Sequence, residues 1–331
     1  IAERDVRDEF IDMTADERAV YEAVENYIST TYNQAAQQGG AAKNAVGFVM
    51  TVYRRRLASS FRALRCTLEA RLSPPAPTVA SGKGVALSYS EDASDDESRD
   101  EVMDAEEAAK LETEALKLEE QLDIQGLLRR AQALPPDTKA RKLREVLSEL
   151  RKDGYRQAMV FTQFTDTMDF LRGYLVSRHA AEQGEVETIH LPGILCFSGR
   201  GGEALGTDGR WHAITRDEVK RRFREGQAEL LLCTDAAAEG LNFQFCGALV
   251  NYDMPWNPMR VEQRIGRIDR LGQRHAFVRI VNLHYRDTVE SDVYMALRKR
   301  IGLFQAVVGR LQPILAQLPR TITATVLGGG A

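Results

Sequence analysis

The sequence predicts an α/β fold, in which a parallel sheet flanked by helices follows an α-helical segment with an acidic, flexible insertion. From residue 139 onward, short apolar runs alternate with stretches of helical periodicity. The runs are continuously apolar, as expected of strands covered on both faces in a parallel sheet between helices. Before residue 139, apolar residues instead recur at the spacing of a helix.

Helices are predicted to fill the N-terminal segment, residues 1–72. Apolar residues recur at helical spacing over residues 14–32 and 42–72, and the acidic opening IAERDVRDEF is also helical in character. Thr14 and Glu17 have the spacing of a capping box. This pair indicates that the first clear helix begins there.

A flexible acidic linker is predicted over residues 73–99. The stretch is rich in Pro, Gly, Ser and acidic residues, and it has too few apolar side chains to offset the entropy lost on ordering. Residues 91–114 hold 12 acidic and 2 basic residues, so the formal charge of -4 becomes about +6 without them. From Asn251 onward, 12 Lys and Arg stand against 6 Asp and Glu, so positive charge gathers in the C-terminal third.

The α/β domain is predicted over residues 139–300. A helix at residues 100–138, ended by two prolines, leads into it, and a C-terminal helix and tail at residues 301–331 follow it. Functional side chains in such sheets gather beyond the carboxyl ends of the strands. The predicted strands are AMVFT (158–162), GILCF (193–197), ELLLCT (229–234), ALVNY (248–252) and FVRIVNL (277–283).

Composition excludes several classes of protein. Hydrophobic residues make up 44% and charged residues 28% of the 331 positions, which is ordinary for soluble domains and unlike collagen or a coiled-coil rod. No run of about 18 uncharged apolar residues is present, so neither a membrane span nor a membrane partner is expected. The four cysteines form no CxxC pair and the five histidines lack ligand spacing, so no metal site is predicted. We expect a cytoplasmic protein.

The segment VEQRIGRIDRLGQR contains several side chains that are able to bind phosphate. If it is a helix, Gln263, Arg267 and Arg270 lie at i, i+4 and i+7 and share one face. Two guanidiniums on one face suit the oxygens of a terminal phosphate. The alternative is a surface helix whose arginines form salt bridges with Glu262 and Asp269.

Two further segments follow predicted strands. In LLLCTDAAAEGLNF, small residues and Gly240 allow close approach of a phosphate, while Thr234 and Asn242 supply hydrogen-bonding groups. The alternative is simply a tight strand-to-helix connection. In MVFTQFTDTMDFL, Thr162 and Gln163 can hold a sugar-phosphate backbone or cap the helix that begins near Phe164.

Taken in order, these segments resemble motifs IV, V and VI of the second RecA-like lobe of superfamily 2 helicases. The run YDMPWNPMRVEQRIGRIDRLGQ is similar to the SWI/SNF group of DNA translocases, and its wording is closest to the bacterial branch that includes the RNA-polymerase-associated translocase. The resemblance covers about residues 141–292. It implies a RecA-like fold and an ATP-dependent motor that tracks double-stranded DNA.

The resemblance also implies roles for individual residues. Arg267 and Arg270 would meet the γ-phosphate of ATP, with Gln263 in support, and Gly240 and Asn242 would face the nucleotide. The tracked DNA backbone would lie against Thr162 and Gln163 of motif IV and Thr234 of motif V. Trp256 would match the tryptophan that links the DNA groove to the ATP site. A packed core aromatic is the alternative for the tryptophan.

A complete motor also needs a phosphate-binding GxxxxGK[ST] loop and an acidic, Mg²⁺-holding strand end. The sequence contains neither pattern in a strand–loop–helix context. We therefore expect a fragment whose first lobe lies upstream in the same polypeptide, holds most of the contacts to ATP and Mg²⁺, and is required for hydrolysis.

Two alternatives come from other classes of protein. One is a non-catalytic nucleic-acid or protein-binding module that keeps the lobe fold and uses its acidic helical segment to dock a partner. The other, a dinucleotide-binding Rossmann enzyme, is disfavoured because no G-x-G-x-x-G follows a strand. In a bacterium, the motor would associate with the nucleoid.

Overall fold

The chain folds into two compact units. One comprises residues 1–12 and 138–322, and the other comprises residues 13–137 and 323–331. The computed structural model describes residues 2–38, 40–72, 118–176, 193–235, 242–256, 258–270, 272–296 and 298. The predicted linker at 73–99 and the predicted tail at 301–331 lie outside these residues.

The first unit contains an eight-stranded sheet in the order β1-β8-β7-β2-β6-β3-β4-β5. Every neighbouring pair from β1 to β3 in that order is parallel, and only β3–β4 and β4–β5 are antiparallel. The strands are β1 (Glu3–Ile11), β2 (Ala158–Thr162), β3 (Ile194–Ser198), β4 (Gly201–Leu205), β5 (Trp211–Ile214), β6 (Leu230–Thr234), β7 (Ala248–Asn251) and β8 (Phe277–Tyr285).

The predicted α/β class is confirmed. The middle strands β2, β3, β6 and β7 are buried at every residue, as continuous apolar runs require. One core cluster joins them to apolar side chains of neighbouring segments, including Phe223, Phe243 and Ile268. The helices of this unit are α5 (Thr138–Lys152), α6 (Thr165–Val176), α7 (Arg216–Arg224) and α8 (Pro258–Ile265), and residues 289–296 are also helical.

Two parts of the sheet differ from the sequence predictions. The opening residues, expected to be helical, form β1, which pairs with β8 over nine positions. Charged side chains there find tertiary partners, such as Asp5 with Arg279 at 2.9 Å, and these contacts override local propensity. The hairpin β4–β5 was not predicted either, because Gly201, Gly202 and the polar residues around Trp211 give it no apolar run.

The second unit is helical in its described residues. Its helices are α1 (Ala15–Gln38), α2 (Gly40–Ser59), α3 (Phe61–Leu72) and α4 (Leu118–Gln132). The predicted capping box is present, since Glu17 N donates to Thr14 Oγ1 at 3.2 Å and Thr14 N donates to a Glu17 carboxylate oxygen at 2.8 Å. The helical periodicity predicted over residues 42–72 is divided between α2 and α3 at Ser60, whose hydroxyl accepts from Ala63 N and caps α3.

Candidate functional site at the carboxyl edge of the sheet

Three adjacent parallel strands, β6, β2 and β7, end side by side. Thr162 lies opposite Thr234 in the β2–β6 register, and Phe161 lies opposite Asn251 in the β2–β7 register. The residues that follow these strands therefore meet at one edge of the sheet, as the sequence predicted for the carboxyl ends. We refer to the ends of β2, β6 and β7 and the residues that follow them as the carboxyl edge.

Asp253, just beyond β7, binds both predicted residues of motif IV. The Thr162 hydroxyl donates to Asp253 Oδ2 at 2.6 Å, and the Gln163 backbone N–H donates to Oδ1 at 2.9 Å. The Gln163 side-chain amide donates to the Met254 carbonyl at 3.1 Å. Phe164 N also donates to the Thr162 hydroxyl at 3.4 Å, so that side chain contributes to the start of α6. Both motif IV side chains are buried and bonded within the lobe.

Arg264 of α8 joins the ends of β6 and β7. Its side chain is 1% exposed and makes a bidentate pair with Asp235, at 2.5 and 2.7 Å. A third nitrogen, Nη1, donates to Asn251 Oδ1 at 3.0 Å and to the Asp253 carbonyl at 2.8 Å. The guanidinium carbon lies 5.3 Å from the centre of the Phe161 ring, over β2. One buried side chain thus ties helix α8 to three strands.

The charges at this edge are in contact with one another, since Arg264 lies against both Asp235 and Asp253. Burial, the largest single influence, would lower the pKa of Arg264, but the Asp235 and Asp253 carboxylates act together to raise the pKa above its ordinary value. Arg264 therefore stays a cation. Burial also raises the pKa of the Cys233 thiol, which remains protonated and acts as a small core side chain. The site holds charge in a paired, fixed form, which is how buried charges are tolerated.

The hydrogen-bond network continues across β7 and β8 to β1. Asn251 Nδ2 donates to Asn282 Oδ1 at 2.8 Å, and Asn282 Nδ2 donates to Asp8 Oδ1 at the same distance. The Tyr294 hydroxyl also donates to Asp8 Oδ1, at 2.8 Å. The unpredicted strand β1 thus supplies a carboxylate that anchors the far end of this network.

A buried lysine lies next to the segment that carries Asp253. Lys139 is 2% exposed, and its ammonium lies 5.1 Å from the Tyr252 ring centre and 5.0 Å from the Tyr285 ring centre. Aromatic faces attract a cation at such distances. Lys139, at the start of helix α5, therefore stabilises the position of Tyr252 at the end of β7.

Motif VI does not form one continuous helical face. Helix α8 ends at Ile265, and the Arg267 and Ile268 amides donate three residues back, to Arg264 and Ile265, in a tighter turn. Arg267 and Arg270 therefore follow the helix instead of continuing it, which corrects the i, i+4, i+7 expectation. Gly266, a poor helix former, stands where the helix ends.

The exposed side of this segment carries the predicted phosphate-binding groups. Gln263 and Arg270 are exposed and Arg267 is half-buried. Arg270 Nε donates to the Gly266 carbonyl at 2.6 Å, which holds the start of the guanidinium in place. These three residues lie on one short stretch of chain that contains the anchored Arg264, with Gln263 before it and Arg267 and Arg270 after it.

The acidic residues of motif VI pair with β1. Glu262 and Asp269 were the expected salt-bridge partners of the motif's own arginines in the alternative interpretation. Instead, both bind Arg4, with N–O distances of 2.9 Å to Glu262 and 2.6 Å to Asp269. Through these two bonds, the acidic side chains connect motif VI to strand β1 and not to Arg267 or Arg270.

The remaining predicted residues lie in varied surroundings. Thr234 is fully buried, and its hydroxyl has no hydrogen-bond partner among the described residues. Asn242 is exposed and Trp256 is half-buried, so Trp256 is not the fully packed core aromatic of the alternative interpretation. Gly240 lies outside the described residues. Within the described part of the chain, neither Asn242 nor Trp256 forms a hydrogen bond with another predicted site residue.

Sequence reasoning missed the residues that hold the edge together. The largest omission is Arg264, which stands inside motif VI and was given no role, although a fully buried arginine requires partners. A usable signal was present, since Asp235 and Asp253 each stand within two residues of the end of a predicted buried strand. Two carboxylates at neighbouring strand ends require a buried cation, and motif VI supplies it.

The described residues do not offer a ready place for a divalent cation. Among them, no group of three or more His, Cys, Asp and Glu side chains has the arrangement of a metal site. The two carboxylates at the carboxyl edge, Asp235 and Asp253, are already bonded to Arg264, Thr162 and Gln163. By contrast, the exposed amide and guanidinium of Gln263 and Arg270 fit the oxygens of a phosphate. The donor set therefore suits the phosphate end of a nucleotide and not its metal.

Comparison with known proteins agrees with the motif assignments. Residues 138–272 match the helicase conserved C-terminal domain. The uncharacterized ATP-dependent helicase YqhH of Bacillus subtilis (strain 168) is 37% identical over 162 residues, which are 49% of this chain and 25% of that protein. The RNA polymerase-associated protein RapA of Vibrio cholerae is 49% identical over 63 residues, which are 18% of this chain and 6% of RapA.

A crystal structure of the C-terminal part of the Fun30 ATPase domain aligns with 89% of each chain, at 13% identity and a TM-score of 0.49. The aligned part of this chain covers about a quarter of the full length of YqhH and less than a tenth of the full length of RapA. The resemblance indicated by the three motifs is confirmed by the domain match and by these relatives. Residues 138–272 thus match the helicase conserved C-terminal domain, and the chain is similar to the ATP-dependent helicase YqhH and to RapA.

Proposed function

We propose that this chain supplies the C-terminal motor lobe of an ATP-dependent translocase on double-stranded DNA. The observation that carries the proposal is the anchoring of motif VI. Arg264 fixes the end of α8 to the strands, and the exposed Arg270 and half-buried Arg267 follow it directly. A fixed backbone that presents guanidiniums is what stabilisation of a transferring phosphate requires.

In this mechanism, Arg267 and Arg270 approach the γ-phosphate of ATP when the two lobes close, with Gln263 in support. Bound ATP with Mg²⁺ would supply the phosphoryl group and neutralise part of its charge. Asp235 and Asp253, the carboxylates at the carboxyl edge, are bonded within the lobe, so Mg²⁺ and most nucleotide contacts would belong to a first lobe of the same polypeptide. Asn242 and Gly240 would lie toward the nucleotide.

DNA contact is proposed at the same edge. Thr162, Gln163 and Thr234 are buried in the described structure, so they would reach a DNA phosphate only after a local rearrangement of the carboxyl edge. The unpartnered hydroxyl of Thr234 favours such a role, since a buried hydroxyl without a hydrogen bond is costly. Trp256, half-buried beyond β7, would link that rearrangement to the nucleotide side.

Backbone contacts carry no base information, so DNA binding is expected to be independent of sequence and sensitive to salt. The setting proposed for this activity is the cytoplasm, next to the nucleoid in a bacterium. The acidic segment at residues 91–114 is proposed as the site for a basic protein partner.

The test is ATP hydrolysis with and without duplex DNA, by this chain and by a longer gene product that includes the proposed first lobe. We expect activity only in the longer protein, and stimulation by DNA. Arg267→Ala should lower hydrolysis by about 10³-fold or more, because supplied arginines contribute about 10³ to 10⁵ in rate. Arg210→Ala, at an exposed position in the turn between β4 and β5, is the matched control and should leave the rate unchanged.

Retention of more than about a tenth of the rate by the Arg267→Ala protein would contradict the arginine assignment. Inactivity of the longer protein with every substrate would favour the non-catalytic binding module instead. Hydrolysis by this chain alone would contradict the assignment of ATP to another lobe.

A further inference from the structure

A basic pocket lies on the side of the sheet away from the carboxyl edge. It opens where β2 and β6 begin, at Ala158 and Leu230. Its walls include Arg144 and Arg151 of α5 and Arg156 of the loop that follows. Strand β2 advances four residues from Ala158 to Thr162, so the pocket and the carboxyl edge are about 13 Å apart along the strand. Of the three helicase motif segments, only the first residue of LLLCTDAAAEGLNF, Leu230, reaches this pocket, and none of the predicted site residues lines it.

The spacing of the residues in α5 explains the row of positive charge. Arg144, Ser148 and Arg151 lie at i, i+4 and i+7 and therefore share one face of the helix. The two arginine Cα atoms are about 10 Å apart along the helix axis. Arg156 extends the row past the end of the helix, and all four residues line the same pocket.

The acidic side chains near the pocket already have basic partners. Each carboxylate lies within 2.9 to 3.6 Å of an arginine nitrogen: Glu229 with Arg151, Glu149 with Arg7, and Asp153 with Arg279. A ligand would therefore meet little uncompensated negative charge.

Two arginines of the pocket remain without a carboxylate. Neither Arg144 nor Arg156 forms an ion pair within the part of the chain that the structure describes. Arg144 lies over the Tyr174 ring, at 4.9 Å from its centre. Stacking of this kind orders a guanidinium and leaves its N–H edge available for a planar or tetrahedral anion. The pocket thus presents ordered donors with no internal acceptor.

We propose that this pocket binds phosphate groups of a nucleic-acid backbone, at a site separate from the carboxyl edge. Guanidinium forks and a Ser148 hydroxyl are donors of the kind that bind phosphate oxygens. A row of positive charge matches the regular line of charge on a nucleic-acid strand. This inference does not depend on the roles proposed for Arg267 and Arg270.

The other walls of the pocket favour a backbone over a protein ligand. Leu150, Ala158 and Leu230 are buried, and only Leu147 among the aliphatic wall residues is half-buried, so the pocket offers little apolar surface to a peptide. The Tyr155 ring is covered by His275 at 5.4 Å and by Arg279 at 6.0 Å, so it offers no free face to a base. A nucleic acid at this pocket would therefore be held mainly through its phosphates, which carry no base information.

The test is fluorescence anisotropy of a labelled duplex of about 20 base pairs, titrated with the full chain over a series of salt concentrations. In the variant Arg144→Gln/Arg156→Gln, we expect weaker binding and a salt slope lower by about one for each arginine removed. The variant Arg144→Lys/Arg156→Lys keeps the charge and should retain most of the slope. Arg210→Gln, at an exposed arginine elsewhere in the same unit, is the control and should behave as the wild type.

A second measurement places the contact in the pocket. An environment-sensitive fluorophore on Ser148→Cys should respond to the duplex at the same concentrations that the anisotropy reports, and tryptophan fluorescence checks that each variant is folded. Unchanged affinity and slope in the glutamine variant would overturn the proposal, and so would failure of the wild-type chain to bind the duplex. Loss of inorganic phosphate or polyglutamate binding alone, with duplex binding intact, would also overturn it.

Discussion

Arg264 shows what a single buried charge does at the residue scale. Its guanidinium bonds to Asp235, Asn251 and the carbonyl of Asp253, with only 1% of the side chain exposed. Arg264, Asp235 and Asp253 are charged side chains that have lost most of their contact with water, which is costly. This cost is offset only while the three charges stay paired. The residue is therefore essential to the carboxyl edge even though it was not predicted to bind anything.

Arg264→Met is expected to destabilise the sheet-containing unit by about 3 to 5 kcal/mol, because it leaves the carboxylates of Asp235 and Asp253, which are 13% and 2% exposed, without their cation. Urea unfolding followed by tryptophan fluorescence measures this unit, since Trp211 and Trp256, the two tryptophans of the chain, both lie in it. Arg270→Met removes an exposed arginine of the same motif and should change stability by about 0.5 kcal/mol or less. Equal effects of the two substitutions would contradict the anchoring role of Arg264.

His284 gives the same unit a dependence on pH. Its side chain is 4% exposed, stacks on Phe10 and Tyr294 at 5.2 and 4.2 Å, and lies 3.8 Å from Asp8. Burial, together with the charge of Lys139, lowers the pKa of His284 to about 3. Asp8 does not reverse this direction, because its oxygens already accept hydrogen bonds from Asn282, Tyr294 and Arg298.

Between about pH 6.5 and 3, the unfolded chain holds a proton on His284 that the folded chain lacks, so stability falls as the pH is lowered through this window. In the variant His284→Gln, the pH dependence of the free energy of unfolding should correspond to fewer protons taken up on unfolding, by up to about one. Urea unfolding at pH 4 to 6 measures this slope. His212→Gln is the control, because His212 is 57% exposed in its side chain. A slope that is the same in the wild-type and His284→Gln proteins would show that His284 is protonated in the folded state.

At the scale of elements, the sequence predicted best where one pattern decides the structure alone. The five continuous apolar runs became β2, β3, β6, β7 and β8, with ends shifted by no more than two residues. Burial on both faces leaves such runs no alternative. The Thr14 capping box was likewise local, and its two hydrogen bonds are present.

Elements that depend on partners far along the chain could not be predicted in the same way. Strand β1 is charged at most positions and is extended because β8, more than 270 residues away, supplies its hydrogen bonds and the partner of Asp5. A pattern with both helical and extended solutions is decided by tertiary contacts. The end of α8 at Ile265 belongs to the same class, since it depends on the tie of Arg264 to the strands as well as on Gly266.

The candidate site was likewise predicted in its position on the fold but not in the exposure of its side chains. The sequence placed motifs IV, V and VI at strand ends, and the structure brings Thr162, Thr234 and Arg264 to one edge. The exposure of each side chain was not predictable, because it depends on pairing across the fold. Thr162 and Gln163 were expected to face a ligand and are buried against Asp253.

For the whole molecule, the sheet separates two chemistries. Paired, buried charge lies at the carboxyl edge, and unpaired basic charge lies in the pocket at the amino ends of β2 and β6. The rigid middle strands lie between them. Rigidity there follows from position, since β2 has parallel neighbours on both sides and every one of its residues is buried.

Hydrogen exchange should reveal this gradient of rigidity. Backbone amides of β2 and β6 are expected to exchange slowest within the sheet, because their exposure requires the opening of two ladders and of the apolar core. Amides of β5 should exchange much faster, since this strand lies at the sheet edge and is half-exposed or exposed at every residue. Mass spectrometry of peptides covering residues 158–162 and 211–214 measures the difference, with rates corrected against the unfolded chain. Because the carboxyl edge and the basic pocket both lie on the ends of β2, equal protection of β5 and β2 would contradict the view that both are mounted on the most stable part of the fold.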